Sequence, residues 1–173
     1  MRLRESVPAD APSIAELHRD AFGEAEGATV AQLALDLLKD PTAQPLLSLV
    51  AFQDDTLAGH VIFSHITVDG NDIGACIMAP LAVAETQQKQ GVGTRLIRHG
   101  LAVLRERGLR IVLVLGDPAY YTRAGFAAGH EFAPPHELAY PEAWMALALH
   151  DGALAGVSGT VKCADVLNSP EHW

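Results

Sequence analysis

The eleven-residue run IGACIMAPLAV, Ile73 to Val83, is apolar at nearly every position. A half-buried strand alternates apolar and polar side chains, so a run without alternation fits a strand covered on both faces. A second such run, RIVLVLG, spans Arg110 to Gly116. Two doubly covered strands need a layer on each side, and amphipathic helical patterns elsewhere in the chain supply them. With 173 residues, 49% hydrophobic and 19% charged, the chain is large enough to bury such a core and reads as one soluble domain over residues 1–173. It shows no repeat, low-complexity tract or linker.

A short first strand, Met1 to Ser6, is followed by PADAPSIAELHRDAF. There Asp10 suits a helix N-cap, Pro12 suits the first turn, and Ile14, Leu17 and Ala21 share a face. TVAQLALDLLKD gives a second helix, stopped at Asp40-Pro41, and GEAEGA between them reads as an acidic loop. LLSLVAFQ, LAGHVIFSHITV and IGACIMAPLAV form a three-stranded meander, with turns at Asp54-Asp55 and Asp69 to Asp72. A long helix then carries Val92, Leu96, Ile97, Leu101 and Leu104 at helical spacing and closes on Gly108. After RIVLVLG come a short helix, DPAYYTRAG, and two strands, FAAGHEF and WMALALH.

Lys and Arg number 12 against 21 Asp and Glu, a formal charge of −9. So acidic a chain is a poor partner for nucleic acid or an anionic membrane. No apolar run is long enough to span a bilayer, and the N-terminus lacks the apolar block of a secretory signal. Two cysteines, Cys76 and Cys163, are too few for a disulfide framework. They point to the reducing cytoplasm. The eight histidines show no metal-ligand spacing.

Any anionic ligand must therefore be held locally. In ETQQKQGVGTRLIRHGLAVLRERG, Glu85 to Gly108, the long helix starts on two glycines with no capping Ser, Asp or Asn. The first turn of a helix leaves about four amides unpaired, and the macrodipole adds positive charge there. A diphosphate satisfies both, and glycines at Gly91 and Gly93 remove side chains that would block it. A Walker A loop needs Gly-Lys-Ser/Thr, whereas Thr94-Arg95 follows Gly93; a dinucleotide fingerprint needs a further glycine where Leu96 stands. For an isolated Gly-x-Gly, a plain tight turn at a strand-helix junction is the better reading.

The longer pattern Gln88-Lys89-Gln90-Gly91-Val92-Gly93 resembles the Q/R-x-x-G-x-G/A acetyl-CoA pyrophosphate loop of the GNAT superfamily of N-acetyltransferases. LGDPAYYTRAGF and MALALHDGALAGVSGTV further resemble a bacterial subgroup known mostly as predicted acetyltransferases. The order of elements is similar to that family's over most of the chain. The resemblance implies an α/β GNAT fold, with a mixed, mostly antiparallel sheet, splayed central strands and flanking helices. It implies acetyl-CoA as the acyl-donor cosubstrate, its pyrophosphate on the amides of Gln88 to Thr94. Pro80 cannot donate to a sheet ladder, which marks a bulge or an opening beside it. Within the resemblance this becomes the slot in which pantetheine lies along Leu81, Ala82 and Val83.

Acetyl transfer to an amine leaves a thiolate that benefits from a proton. Tyrosine, with a pKa of about 10, can donate one to a thiolate whose acid has a pKa near 8.5. A tyrosine in a short helix is ordinarily packing, but Tyr121-Thr122-Arg123-Ala124-Gly125-Phe126 resembles the family's Y-x-x-x-G-F segment, whose tyrosine is commonly the general acid. Tyr121 is the catalytic candidate and Tyr120 its understudy. Two positions depart from the family pattern: Gln87 replaces an aromatic, and Gly116-Asp117-Pro118 stands where an asparagine is usual. No base stands out among Asp117, Glu24, Glu26 and His65. Lys89, Arg95 and Arg98 are the basic residues near the loop. The expected activity is acetylation of a primary amine by direct attack in a ternary complex, because Cys76 lies in a buried strand. The alternative is a non-catalytic acyl-CoA-binding module. A monomer and a homodimer, frequent in the family, both remain open.

Overall fold

In the computed structural model, which describes residues 1–173, the chain opens with β1 (Arg2–Glu5) and a 3₁₀ turn, Pro8–Asp10. α1 (Ala11–Lys39) follows as two helical halves joined at Gly23, whose φ of 74° and ψ of −175° suit glycine best. The expected acidic loop from Gly23 to Ala28 is therefore corrected. Only Gly23 leaves helical geometry, and Glu24 to Ala28 belong to the second half. Turn-like composition suggested a loop, but tertiary packing favours the helix: Gly27 is buried with its Cα against the Arg19 carbonyl, a contact that no side chain would permit. Asp10 is a second correction. It does not cap α1; its carboxylate accepts from the Val7 amide (2.8 Å) and pairs with Arg4 (2.8 and 3.0 Å).

The meander forms as expected: β2 (Leu47–Gln53), β3 (Thr56–Val68) and β4 (Asn71–Val83) pair antiparallel, turning at Asp54 and at Asp69-Gly70. α2 (Val92–Glu106) buries all five of the predicted apolar residues, each worth roughly 1.5–3 kcal/mol of burial. Its charged face stays in solvent, and Gly108, at φ 84°, closes it. β5 (Ile111–Leu115) runs parallel to β4, and a helical turn, α3 (Pro118–Tyr121), continues into a 3₁₀ turn ending on Gly125. Of the FAAGHEF run, only Glu131 and Phe132 become strand, in β6 (Glu131–Ala133), with one further bridge at Ala127. β7 (Trp144–Ala148) pairs antiparallel with β5, and β8 (Ser158–Lys162) pairs with β6 and with the end of β3.

The main strand order is β1-β2-β3-β4-β5-β7, with β4–β5 the parallel pair within it. One core layer lies under α1 and includes Ile14, Leu37, Ile62, Ile77 and Leu113. The other lies under α2 and includes Phe63, Cys76, Met78, Leu96 and Val112. Adjacent β4 residues thus feed opposite layers, which is why that strand's sequence carries no polar alternation.

Candidate active site

β4 and β5 pair over only three steps, Ala75–Ile111, Cys76–Val112 and Ile77–Leu113. Beyond Ile77 the β4 register against β3 jumps, with Met78 opposite Phe63 but Leu81 opposite Val61, so Ala79 and Pro80 form a bulge. β4 then follows β3, while β5 follows β7 as far as Leu115–Trp144. The two central strands part at this point. Proline's missing amide costs nothing where the partner strand has already left.

Along the open edge the backbone groups alternate in direction. The Ala84 amide donates to Ala58 on β3 (2.8 Å), so in this antiparallel pair Ala82 also directs its groups to β3. Leu81 and Val83 therefore face the gap, narrowing the expected three-residue stretch to two exposed positions. The Val83 carbonyl already accepts from the Gln88 side-chain amide (3.2 Å), which folds the loop back over the strand end.

That loop delivers the helix entrance. Lys89 and Gly91 both take positive φ, 62° and 83°, and Gly91 precedes α2 with no side-chain cap. The first backbone bond of the helix is the Arg95 amide to the Gly91 carbonyl, 3.0 Å. The amides of Lys89, Gln90, Gly91, Val92, Gly93 and Thr94 have no acceptor within the protein. The space beside Gly91 is open to 4 Å, so a group of phosphate size fits against those donors. Val92 contributes only backbone, since its side chain is buried under α2. Gln90 is tied by its side chain to the Thr86 carbonyl (3.1 Å). Arg95 and Arg98 line a shallow depression with Met1 and Leu3 at the β1 edge, leaving Lys89 as the cation on the loop itself.

Both tyrosines border the gap, in different surroundings. Their rings meet edge to face at 4.9 Å. Tyr120 reaches the helix entrance, its hydroxyl against Gly93 and beside Thr94. Tyr121 packs on Gly116 and edge-on to Phe126 (6.0 Å), deeper in the wall. Burial, with smaller contributions from Tyr120 and Asp117, raises the Tyr121 phenol to about 12. Burial also raises the Tyr120 phenol. Asp117 caps the short helix through the Ala119 amide (2.9 Å).

The gap opens into a cleft of about 820 Å³ between β4, β5, α1 from Phe22 to Leu33 and the C-terminal segment. Met78 to Leu81, Leu115, Tyr120 and Tyr121 form its strand side. Glu26 and Asp117 line it, whereas Glu24 lines a separate depression of about 1030 Å³. The latter is larger but has neither tyrosine and gathers Glu16, Asp20, Glu24, Asp55 and Glu85 against Arg19 alone, a poor setting for phosphate. His65 lies on β3 opposite Cys76, in the zipped part of the sheet and outside the cleft. Cys76 is buried, and burial pushes its thiol up, which keeps it unreactive.

Leu167, Glu171, His172 and Trp173 also wall the cleft, and sequence reasoning missed them. His172 stands 3.5 Å from the Glu171 carboxylate. The Trp173 indole donates to the Leu167 carbonyl (2.8 Å) and packs on Trp144, ring centres 5.4 Å apart. Their separation from Tyr121 along the chain hid them; the tryptophan at the end of an otherwise polar segment was the available signal.

Comparison with known proteins supplies the context for this geometry. The model of the "Acetyltransferase (GNAT) family" matches residues 11–126, more than half of the chain. The Escherichia coli N-acetyltransferase YhbS is 39% identical over 174 residues, covering 97% of this chain and 99% of that protein. The E. coli N-acetyltransferase YjhQ is 37% identical over 163 residues, covering 90% and 88% respectively. The crystal structure of E. coli YhbS in complex with CoA superposes with a TM-score of 0.88 at 36% identity, covering 97% of this chain and 92% of that one. A GNAT acetyltransferase from Brucella melitensis, in complex with acetyl-CoA, superposes with a TM-score of 0.76 at 30% identity, covering 96% and 97%.

Proposed function

Because the chain belongs to the acetyltransferase (GNAT) family, we propose that it moves the acetyl group of acetyl-CoA to a primary amine by direct attack within a ternary complex. The observation that carries this reading is the parting of β4 and β5 beyond Ile77, with unpaired amides at one end of the gap and Tyr121 in its wall. The CoA and acetyl-CoA complexes of the two structural relatives support the same donor here.

The amides of Lys89 to Thr94 hold the diphosphate, assisted by the α2 dipole and Lys89. Leu81 and Val83 pair with the pantetheine arm as a strand would, and one of their amides polarises the thioester carbonyl. The amine nitrogen bonds to the carbonyl carbon, the C–S bond breaks, and the sulfur leaves with the electron pair. Tyr121 donates its hydroxyl proton to that sulfur. The proton lost by the amine passes to solvent, from which Tyr121 is reprotonated. A phenol raised to about 12 remains protonated throughout the neutral range, so Tyr121 meets the departing sulfur as a hydrogen-bond donor. Direct attack fits the chain because its cysteines are unfit as acyl carriers: both are buried, and burial raises both thiols. We place this single-domain enzyme in the cytoplasm, where such thiols stay reduced.

Thiol release with a broad amine panel tests the reading, after thermal shift has established acetyl-CoA binding. Tyr121→Phe should lower kcat by roughly 10²–10⁴-fold, the usual worth of a general acid, with acetyl-CoA affinity nearly unchanged. Tyr120→Phe, at the helix entrance, should act mainly on acetyl-CoA affinity. Loss of binding in Tyr121→Phe with turnover preserved would make that tyrosine structural. Parallel rather than intersecting initial-velocity lines would exclude the ternary complex. Binding without transfer to any amine would leave an acyl-CoA-binding module.

A further inference from the structure

The acetyl-accepting end of the cleft has a composition that limits what can enter it. Beyond the strands, its walls come from α1, on both sides of the break at Gly23, and from the C-terminal segment. Phe22, Val30 and Leu33 stand on one side, and Leu167 and Trp173 on the other. Phe22 comes just before the break at Gly23 and Val30 and Leu33 after it, and Trp173 is held by its hydrogen bond to Leu167 and its packing on Trp144. The apolar wall is therefore fixed in place. Of the 20 residues lining the whole cleft, 13 are hydrophobic, and not one is a lysine or arginine. Its carboxylates are Glu26, Asp117 and Glu171, and its one basic side chain, His172, stands 3.5 Å from Glu171.

Resting on the transferase reading, we infer that the acceptor is an amine with an apolar body and no anionic group, of the aralkylamine class. Such a molecule reaches the cleft as an ammonium ion, and the carboxylates at the rim favour it over a neutral or anionic solute. Its hydrocarbon part is removed from water against Phe22, Leu33 and Trp173, at about 25 cal/mol per Å² of apolar area. An acceptor bearing a carboxylate or phosphate would bury that anion with no lysine or arginine to pair it, beside three carboxylates and a histidine already set against one of them. Highly hydroxylated amines would leave hydroxyls unpaired on the apolar wall, and a polycation, though drawn by the carboxylates, would set charge rather than hydrocarbon against that wall. The group transfer itself is unchanged: the amine nitrogen gains the acetyl carbon, sulfur leaves with the proton from Tyr121, and the ammonium proton goes to solvent.

The test uses a matched set with acetyl-CoA: 2-phenylethylamine, L-phenylalaninamide and L-phenylalanine, each kcat/KM referred to the neutral amine. Spermidine and an aminoglycoside complete the panel. L-Phenylalanine should fall at least about tenfold below the two compounds lacking the carboxylate, the penalty of an unpaired like charge. Glu26→Lys, a change at an exposed helical position, should narrow that ratio severalfold by supplying the missing cation. Equal use of all three compounds, or preference for spermidine or the aminoglycoside over 2-phenylethylamine, overturns the inference and leaves the transferase standing. Absence of thiol release with every amine, together with no thermal shift by acetyl-CoA, overturns the transferase reading itself.

Discussion

Tyr120 and Tyr121 are chain neighbours with almost identical chemistry, and their surroundings separate them. Tyr120 extends over the α2 entrance, where Gly93 leaves room for its hydroxyl. Tyr121 turns inward against Gly116 and Phe126. Desolvation disfavours a phenolate, so the inward residue holds its proton to about 12, against the ordinary 10.0. The direction matters for the rate profile. A general acid works only while protonated, so its ionisation would produce a falling limb at high pH, and a raised pKa moves that limb upward. The kcat of the wild-type enzyme should therefore rise with pH as the bound amine loses its proton and show no decline below about pH 10. A falling limb centred between pH 7 and 9 would mean that another group supplies the proton. The tyrosine-glycine-phenylalanine spacing singled this residue out in the sequence and the structure places it in the cleft wall, whereas the sharing of one cleft by both rings was not legible, because helical geometry alone sends adjacent side chains about 100° apart.

At the scale of elements, the β4–loop–α2 unit joins a strand with an open edge to a helix with an uncapped start. Gly91 matters there twice, through its φ of 83° and through the open space at its Cα. Gly91→Glu introduces left-handed strain of about 1–2 kcal/mol, which the fold should survive, and places a carboxylate where the proposed diphosphate site lies. CoA affinity by calorimetry should fall on the order of 100-fold or more, since like charges in contact cost several kcal/mol. Gly93→Ala acts by another route, because its Cβ would displace the Tyr120 hydroxyl. It should weaken CoA binding only if Tyr120 has to stay in place. Much of this unit was readable beforehand: Pro80 announced the bulge, unbroken apolar character announced a central strand, and helical spacing gave every buried residue named for α2. Less legible were features fixed by contacts distant in sequence. GEAEGA looked like a loop because glycine and acidic residues suit turns, and only the packing of Gly27 on Arg19 makes most of it helical. β8 lacks an apolar alternation of its own and is defined by its partners β6 and β3. The alternation that turns Ala82 away from the gap depends on register against β3, which composition cannot supply.

Across the whole molecule, α1, β3, β2 and the segment after β1 are joined by a buried polar chain with no counterpart in the sequence reading. The Ser6 hydroxyl donates to Ser48 (2.7 Å), Ser48 meets His60 Nε2 (2.8 Å), and His60 Nδ1 meets His18 Nε2 (2.8 Å). Both imidazoles are fully buried, and His18 Nδ1 has no partner. Burial lowers His18 to about 4 and His60 well below its ordinary 6.5, so both are neutral in the folded protein. Unfolded histidines take up protons near pH 6.5, while folded His18 does not follow until about pH 4 and burial beside it holds His60 well below its ordinary value. Between those values the unfolded chain binds more protons, so stability is fully present above pH 6.5 and is lost as the pH falls toward 4. His18 alone accounts for about 3 kcal/mol over that window, a large share of a typical domain's stability. Asp10 acts at lower pH, since Arg4 and the Val7 amide hold its carboxyl below 3.8 and its contribution survives until the solution is more acidic than that. Thermal or urea denaturation from pH 7.5 to 4.5 should show a steep decline before the carboxylates titrate. His18→Gln keeps a polar group at the site but cannot titrate, so it should flatten the slope whatever its effect on stability at pH 7.5. A wild-type profile that stays level down to pH 4.5 would mean that the pair is solvated or charged in the folded protein.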